Sequence, residues 1–552
     1  MNTAALRRFC AVTAVWTLLP ACLSCADAGG EAPVRLTLAE AVDGYRMDVL
    51  LQPSDGGVGS AMARATGWNK APHEVDASGL RVSADGIRGT MHIRLFPDAN
   101  VPEDGSVTEC ELHVDVPLSG EEGTYSGVVG DTAVSGPARA DRPEPFAGDA
   151  QPAQIALRLD NAIEADKEWK RVVWGFITTD DGKQSGTFSV ETYRRGFVLL
   201  TADDVDLSIR DGRLTGGFRL DIPATSDGQP ARTYTYRLDG SVVGDQGGGR
   251  LVRTAVGSER SEDGFFDATL HARPIRTQSH VYKRADGHEL VALVDFPPDW
   301  RPTDRRPALV YFSGGGWRTG SANQIFTHAR YLAERGVVVI RADYRVFGET
   351  DEPEKIMEDA NSAVRWVRAN AATLGVDPQR VAVGGQSAGG QVAAATTVLT
   401  GFDAPDEDHS IRSDGDALIL LSSVVRIEPG WLCEDEQRSH ALSPHHHLRP
   451  GLPPTLIIIG TGEGQLLEQN EEYAREARRL GNRVDFYVAD GAQHSFTFFA
   501  DGVPQTCHRM DLFLSSLGYL RGKPTVDMNC PPLHEHALPP AEATATQPVT
   551  AD

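Results

Sequence analysis

Basic residues are in deficit. Against 77 Asp and Glu the 552-residue chain sets 53 Lys and Arg, for a formal net charge of −24. That balance opposes binding to nucleic acid or to an anionic membrane face, since either needs a basic footprint; it describes a solvated acidic surface. Cysteine is scarce as well. Of seven, Cys10, Cys22 and Cys25 fall near the start, leaving Cys110, Cys433, Cys507 and Cys530. No C-x-x-C pair occurs past that first segment, so zinc or redox chemistry built on cysteine is not expected. An oxidising compartment would permit bridging among the last three. Beyond residue 28 no apolar run is long enough to span a bilayer, so the mature body is expected in water.

The first 28 residues read as an export signal. "MNTAALRRFC" carries Arg7 and Arg8, and "AVTAVWTLLPACLSCADA" adds a short apolar core that ends in small residues. Two processing routes are open. "LPAC", Leu19 to Cys22, resembles a bacterial lipoprotein box that would lipidate Cys22, whereas Ala26 and Ala28 form an A-x-A site that would release the protein. Either places the chain in the periplasm, outside the cell, or on the envelope.

From 34 to 275 long helical patterns are missing. "GTMHIRL", "CELHVDV", "RVVWGFIT" and "YTYRLDGSVV" alternate apolar and polar residues between Gly, Asp and Pro turns, the period of half-buried strands. "GLRVSADGIRGTMHIRL" from Gly79 is echoed by "DVDLSIRDGRLTGGFRL" from Asp204. The expectation is a duplicated all-β region with halves at about 34–165 and 166–275. From 278 to 525 the period changes. Short apolar runs such as "ALVYFSGGGW", "GVVVIRADYR", "DALILLSSV" and "PTLIIIGTGEG" alternate with helical stretches such as "EKIMEDANSAVRWVRANAATLG". That is an α/β domain with a mostly parallel sheet covered on both faces. The tail, 530–552, is Pro- and Ala-rich and reads as disordered.

The stretch "RVAVGGQSAGGQVAAATTVL", Arg380 to Leu399, packs glycines around a serine but contains no Lys and no G-x-G-x-x-G spacing, so it is not a phosphate loop. It fits G-x-S-x-G through Gly385, Ser387 and Gly389, with a strand pattern before and a helical pattern after: a nucleophile elbow. A serine hydroxyl needs a base, an acid to orient that base, and N–H donors for the developing oxyanion. His494 follows the last apolar run, in "VADGAQHSFTFF", and is the candidate base. Glu463 lies three residues past the strand that ends at Gly460 and is the candidate acid, ahead of Asp490; Glu468 and Glu471 are assigned to a solvent-facing helix. In "YFSGGGWRTG", Gly314, Gly315 and Gly316 permit the backbone to turn its N–H groups inward, and the Ala388 N–H is the second expected donor. His445, His446 and His447 precede a strand and are read as a packing cluster, not a zinc site.

Taken together, "SGGGW", "ADYR", "GQSAGG", "RPGLPPTLIIIGTGE" and "GAQHSF" resemble the α/β-hydrolase superfamily, in its branch of acetyl esterases, hormone-sensitive-lipase-like enzymes and bacterial feruloyl/acetylxylan-type esterases. The resemblance covers about Tyr282 to Leu520. It implies a serine carboxylic-ester hydrolase without cofactor or metal, with Gly315, Gly316 and Ala388 at the oxyanion positions, Ser387 as nucleophile and His494 as base. Two positions depart from the pattern. Ser313 stands where the glycine loop usually begins with His, and Glu463 where the acid is usually Asp. Asp343 and Arg345 are expected to brace the core, and "SVVRIEPGWLCEDEQRSHALSP" to form part of a lid. The substrate this implies is a short-chain ester or esterified carbohydrate. The alternatives are a serine peptidase or amidase of the same fold, or a binding protein with an inert hydrolase domain.

Overall fold

The computed structural model describes residues 33–538 apart from 43–44, 55–56, 66–69, 98–107, 143–151, 161–168, 193–196, 225–229, 499–501, 527, 529 and 531. The export segment lies outside the described residues. Among the described residues three nine-stranded sheets follow one another along the chain.

The first sheet spans Val34 to Asp141, and every pairing in it is antiparallel. Strand Thr108–Pro117 shows why it folds as it does. Cys110, Leu112, Val114 and Val116 point into one apolar core, while Glu109, Glu111, His113 and Asp115 face solvent. By chain position its strands run third, second, first, ninth, eighth, seventh, sixth and fourth, with the short fifth paired to the sixth. The second sheet, Gln154 to His271, runs fourth, third, second, first, ninth, eighth, seventh, sixth and fifth. Its core carries a ladder of stacked rings, Phe188 on Phe218 at 4.6 Å and Phe218 on Tyr236 at 5.1 Å between centroids.

The boundary between the two β units is not at 165 as the repeat suggested. Strand Gln154–Asp160 belongs to the second sheet, where it pairs with both Trp169–Asp180 and Ser261–His271. It is buried at every position. Ile155, Leu157 and Leu159 fill the sheet's own core, and Ala156 between them packs in a cluster with Phe326 of the neighbouring domain.

The third sheet is the α/β domain. Its strands run, by chain position, first, second, fourth, third, fifth, sixth, seventh, eighth and ninth, and the third to eighth are parallel. Strands such as Ala417–Leu421 and Thr455–Gly460 are wholly buried because helices cover both faces. Helices Phe326–Glu334 and Gly502–Ser516 lie on one face. Pro353–Ala369, Ala388–Val398 and Gln465–Arg479 lie on the other.

The tail expected to be disordered contributes the ninth strand. His534–Glu535 pairs with Val484–Ala489, and His536 Nε2 lies 2.6 Å from Glu471 Oε1. Glu471 therefore packs under the tail instead of facing solvent, while residues 539–552 lie outside the described part. The disulfides allowed by the cysteine count do not form at Cys433 or Cys507, whose thiols are free. Among the described residues no helix is long and apolar enough to cross a membrane.

Candidate active site

The groups singled out in the α/β domain gather at the carboxyl ends of its parallel strands, where an open α/β sheet leaves a crevice for ligand. Ser387 follows strand Val376–Gln386 and starts helix Ala388–Val398, at φ 55° and ψ −122°. Only small neighbours permit that turn. A Cβ on Gly385 would sit 2.1 Å from the Gly389 carbonyl oxygen, and one on Gly389 would sit 2.2 Å from that of Phe312. The elbow is also fixed by hydrogen bonds. The Ser387 N–H donates to the Leu421 carbonyl at 3.0 Å, and the Val424 N–H donates to the Ser387 carbonyl at 3.1 Å.

Ser387, His494 and Glu463 form one hydrogen-bonded line. Ser387 Oγ is 3.0 Å from His494 Nε2, and His494 Nδ1 is 2.6 Å from Glu463 Oε2. The Glu463 side chain is fully buried and that of His494 is 17% exposed. Glu463 Oε1 accepts from Ser422 Oγ at 2.6 Å and from the Gly460 N–H at 2.8 Å. These donors hold Oε1 so that Oε2 faces the ring, and they fix the rotamer that the extra methylene would otherwise loosen. Asp490 instead faces His534, at 3.6 Å.

The glycine loop lies across from this line. Gly315 and Gly316 take φ 139° and 61°. Among the described residues the N–H groups of Gly315, Gly316 and Ala388 donate to no protein acceptor. The Gly314 N–H, in contrast, is taken by Gln324 Oε1 at 2.7 Å. Ser313, where a His is usual, accepts from the Ser321 N–H at 3.1 Å and through its carbonyl from Tyr344 Oη at 2.6 Å. Trp317, closing the loop, donates through Nε1 to Gln391 Oε1 at 3.0 Å.

Behind the loop Arg345 is held by Asp359, at 2.7 Å, and the Asp343 carbonyl accepts from Tyr282 Oη at 2.5 Å. Segment 423–444 packs on the elbow helix, where Gln391 Nε2 donates to the Leu442 carbonyl at 2.9 Å. His446 stacks on His440 at 3.9 Å, and burial first, with the neighbouring His440 next, holds His446 down to about 4. Among the described residues no group of His, Cys, Asp and Glu has the arrangement of a metal site.

Three side chains that touch this machinery were not singled out from sequence. Ser422 and Gln324 are described above; Gln386 is the third, buried, with Nε2 at 3.3 Å from both His494 Nε2 and Ser495 Oγ. A backbone signal links several of them. Among the described residues eight non-glycines have positive φ, and four of those, Trp317, Ser387, Ser422 and Ser495, surround this site. Three of the others, Asp181, Asp211 and Asp286, sit in Asp-Gly turns. Strain in non-turn positions thus concentrates where the chemistry would occur.

Comparison with known proteins finds relatives of the α/β domain. The BD-FAE family model matches residues 297–418, which include the glycine loop and Ser387. The carboxylesterase NlhH of Mycobacterium tuberculosis is 29% identical over 289 residues, 46% of this chain and 89% of that protein. The ethyl acetate hydrolase of Pseudomonas putida is 31% identical over 234 residues, 38% of this chain and 72% of that protein. Thermogutta terrifontis esterase 2 matches in structure at 38% identity and a TM-score of 0.43, over 45% of this chain and 97% of that one.

Proposed function

This chain belongs to the α/β-hydrolase esterases and is a serine ester hydrolase; from that premise we propose an exported carboxylesterase for small esters with short acyl groups, worked by Ser387, His494 and Glu463. The observation that carries the reading is the hydrogen-bonded line from Ser387 Oγ through His494 to Glu463, at 3.0 and 2.6 Å, beside three backbone N–H groups with no protein acceptor among the described residues.

Chemistry follows from that line. Ser387 Oγ attacks the ester carbonyl carbon as His494 Nε2 takes its proton. Glu463 holds Nδ1–H, fixing the tautomer that leaves Nε2 free to accept, and stabilises the imidazolium that forms. The carbonyl oxygen gains negative charge and is met by the N–H groups of Gly315, Gly316 and Ala388; one such donor is worth about 3 kcal/mol in the transition state. His494 then protonates the departing alkoxide, leaving an acyl-serine. Water, deprotonated by the same imidazole, attacks the acyl carbon, and the serine leaves with the proton returned.

Short acyl groups are supported by the Pseudomonas putida relative, whose name gives ethyl acetate as its substrate. Export is supported by Arg7, Arg8 and the apolar run that follows, and it brings environmental esters, acetylated polysaccharide among them, within reach. We also read the two antiparallel sheets as copies of one unit. In both, the first strand lies between the second and the ninth, and the ninth, eighth, seventh and sixth run on in sequence.

The test is hydrolysis of p-nitrophenyl acetate, butyrate and decanoate and of acetylated xylan by the mature protein beside Ser387→Ala. The expected result is preference for acetate, with kcat falling about 10^6-fold in the variant. Cleavage of peptide amides in place of esters would move the reading to a peptidase.

A further inference from the structure

We propose that the second antiparallel sheet is a working part of the catalytic centre: through Ser189 and Asn323 it sets the glycine loop that receives the oxyanion. The inference rests on the role given above to Gly315 and Gly316, and it assigns a positioning task to a region that otherwise has none.

A loop of three consecutive glycines has no side chains with which to hold its own shape, so its N–H groups point correctly only if something outside fixes it. The holder is the next short segment, Ser321 to Gln324. The Ser321 N–H donates to Ser313 Oγ at 3.1 Å, at the start of the loop. Gln324 Oε1 accepts from the Gly314 N–H at 2.7 Å, one residue before the oxyanion positions. The segment is therefore a bracket that touches the loop at both of these points.

The bracket in turn is anchored from two sides, and Asn323 is where they meet. On the hydrolase side, Arg341 Nη1 donates to the Ala322 carbonyl at 3.1 Å and to Asn323 Oδ1 at 2.7 Å, while Asp295 holds the same guanidinium at 2.7 and 3.0 Å. With its oxygen facing that cation, the Asn323 amide must turn its NH2 the other way. There Ser189 Oγ of the second sheet accepts from Nδ2 at 3.1 Å. Asn323 and Ser189 are only 2% and 5% exposed, so water does not replace the contact freely.

Helix Phe326–Glu334, which begins two residues further on, is pinned to the same sheet. Phe326 packs against Trp174 and Phe176 with ring centroids at 5.2 and 5.1 Å. Arg330 Nη1 donates to Gln154 Oε1 at 2.6 Å, and His271 Nδ1 lies 3.2 Å from Glu334. These contacts fix the sheet against the helix; Ser189 transmits that position to the bracket.

The experiment uses the full-length protein and compares Ser189→Ala, Ser189→Thr and Asn323→Ala with the wild type. Readouts are kcat and KM on p-nitrophenyl acetate, affinity for a trifluoromethyl ketone, which places an oxyanion in the cradle, and the melting temperature. A small displacement of groups that meet a transition state costs about 10- to 100-fold in rate. The expected result is a fall of that size in kcat for Ser189→Ala with KM nearly unchanged, a matching fall in ketone affinity, and recovery in Ser189→Thr, which keeps the hydroxyl. Unchanged kcat and ketone affinity in both Ser189→Ala and Asn323→Ala overturns the inference, as does a loss that tracks the folded fraction alone. A wild type inactive on every ester would instead remove the reading on which it rests.

Discussion

The two antiparallel sheets share most of a strand order but differ in what lies outside them. In the first, charged outward residues of strands Gly86–Pro97 and Thr108–Pro117 meet water and pair across the strands, Arg88 with Asp115 at 2.8 Å and Arg94 with Glu109 at 3.0 Å, while Leu50 and Met62 pack outward on Val243 of the second sheet. In the second, the flank formed by Gln154–Asp160 and its neighbours is sunk into the hydrolase, and Trp174, Phe176 and Ser189 occupy outward positions that elsewhere would meet water. The difference teaches that fold and role separate. The first has its own core and an outer contact with the second sheet. The other has a core and a second, outer contact surface that reaches the residues after the glycine loop.

That contrast can be broken by substitution. The largest effect belongs to Trp174→Ala, which removes a buried ring between Phe326 and the Arg158 guanidinium. It should cost about 3–5 kcal/mol of stability and lower kcat as well. Leu112→Ala, in the core of the first sheet, should cost about 2–5 kcal/mol by denaturant titration. Activity per folded molecule should stay at the wild-type value. If Leu112→Ala lowers kcat as Trp174→Ala does, the separation of roles fails.

Acid should act on the second sheet's outer surface. Burial first, and the Arg330 charge next, hold His271 down to about 4 against its ordinary 6.5, so it stays neutral in the folded chain. Its unfolded form binds the proton already at 6.5. The contribution is therefore full above that pH and is lost as pH falls toward 4. Glu334 continues the trend: burial alone would raise it, but the His271 hydrogen bond and the Arg330 charge bring it to about 2, so its contribution is lost as pH falls from 4.5 toward 2. Thermal melts should show stability declining from pH 6.5 downward, with a shallower decline in His271→Asn. The smallest effect is expected for Arg88→Ala, an exposed pair in the first sheet, which should leave both the melting temperature and kcat unchanged.

How much was legible follows from the range of each contact. The elbow is partly local: Gly385 is required by a clash with the Gly389 carbonyl four residues on, so the G-x-S-x-G spacing with its flanking strand and helix patterns located Ser387, whereas Gly389 is required by Phe312 on another strand. His494 and Glu463 were readable because each follows a buried apolar strand at a short, countable distance. Asn323 was not, because its partner Ser189 lies 134 residues away on a strand whose pattern says only that it alternates. The same holds for Gln154–Asp160, whose membership is decided by pairing with Ser261–His271 and not by its own residues. The closing strand, His534–Glu535, is two residues long and carries no period at all.

The central claim, that Ser387 is the attacking group, is tested most directly by treating the protein with a fluorophosphonate and mapping the adduct by mass spectrometry. The account predicts one phosphonyl group on the peptide containing Ser387, formed rapidly in the wild type and not detectably in His494→Ala. An adduct on Ser422 or Ser495 instead, or labelling that persists when His494 is removed, would contradict it.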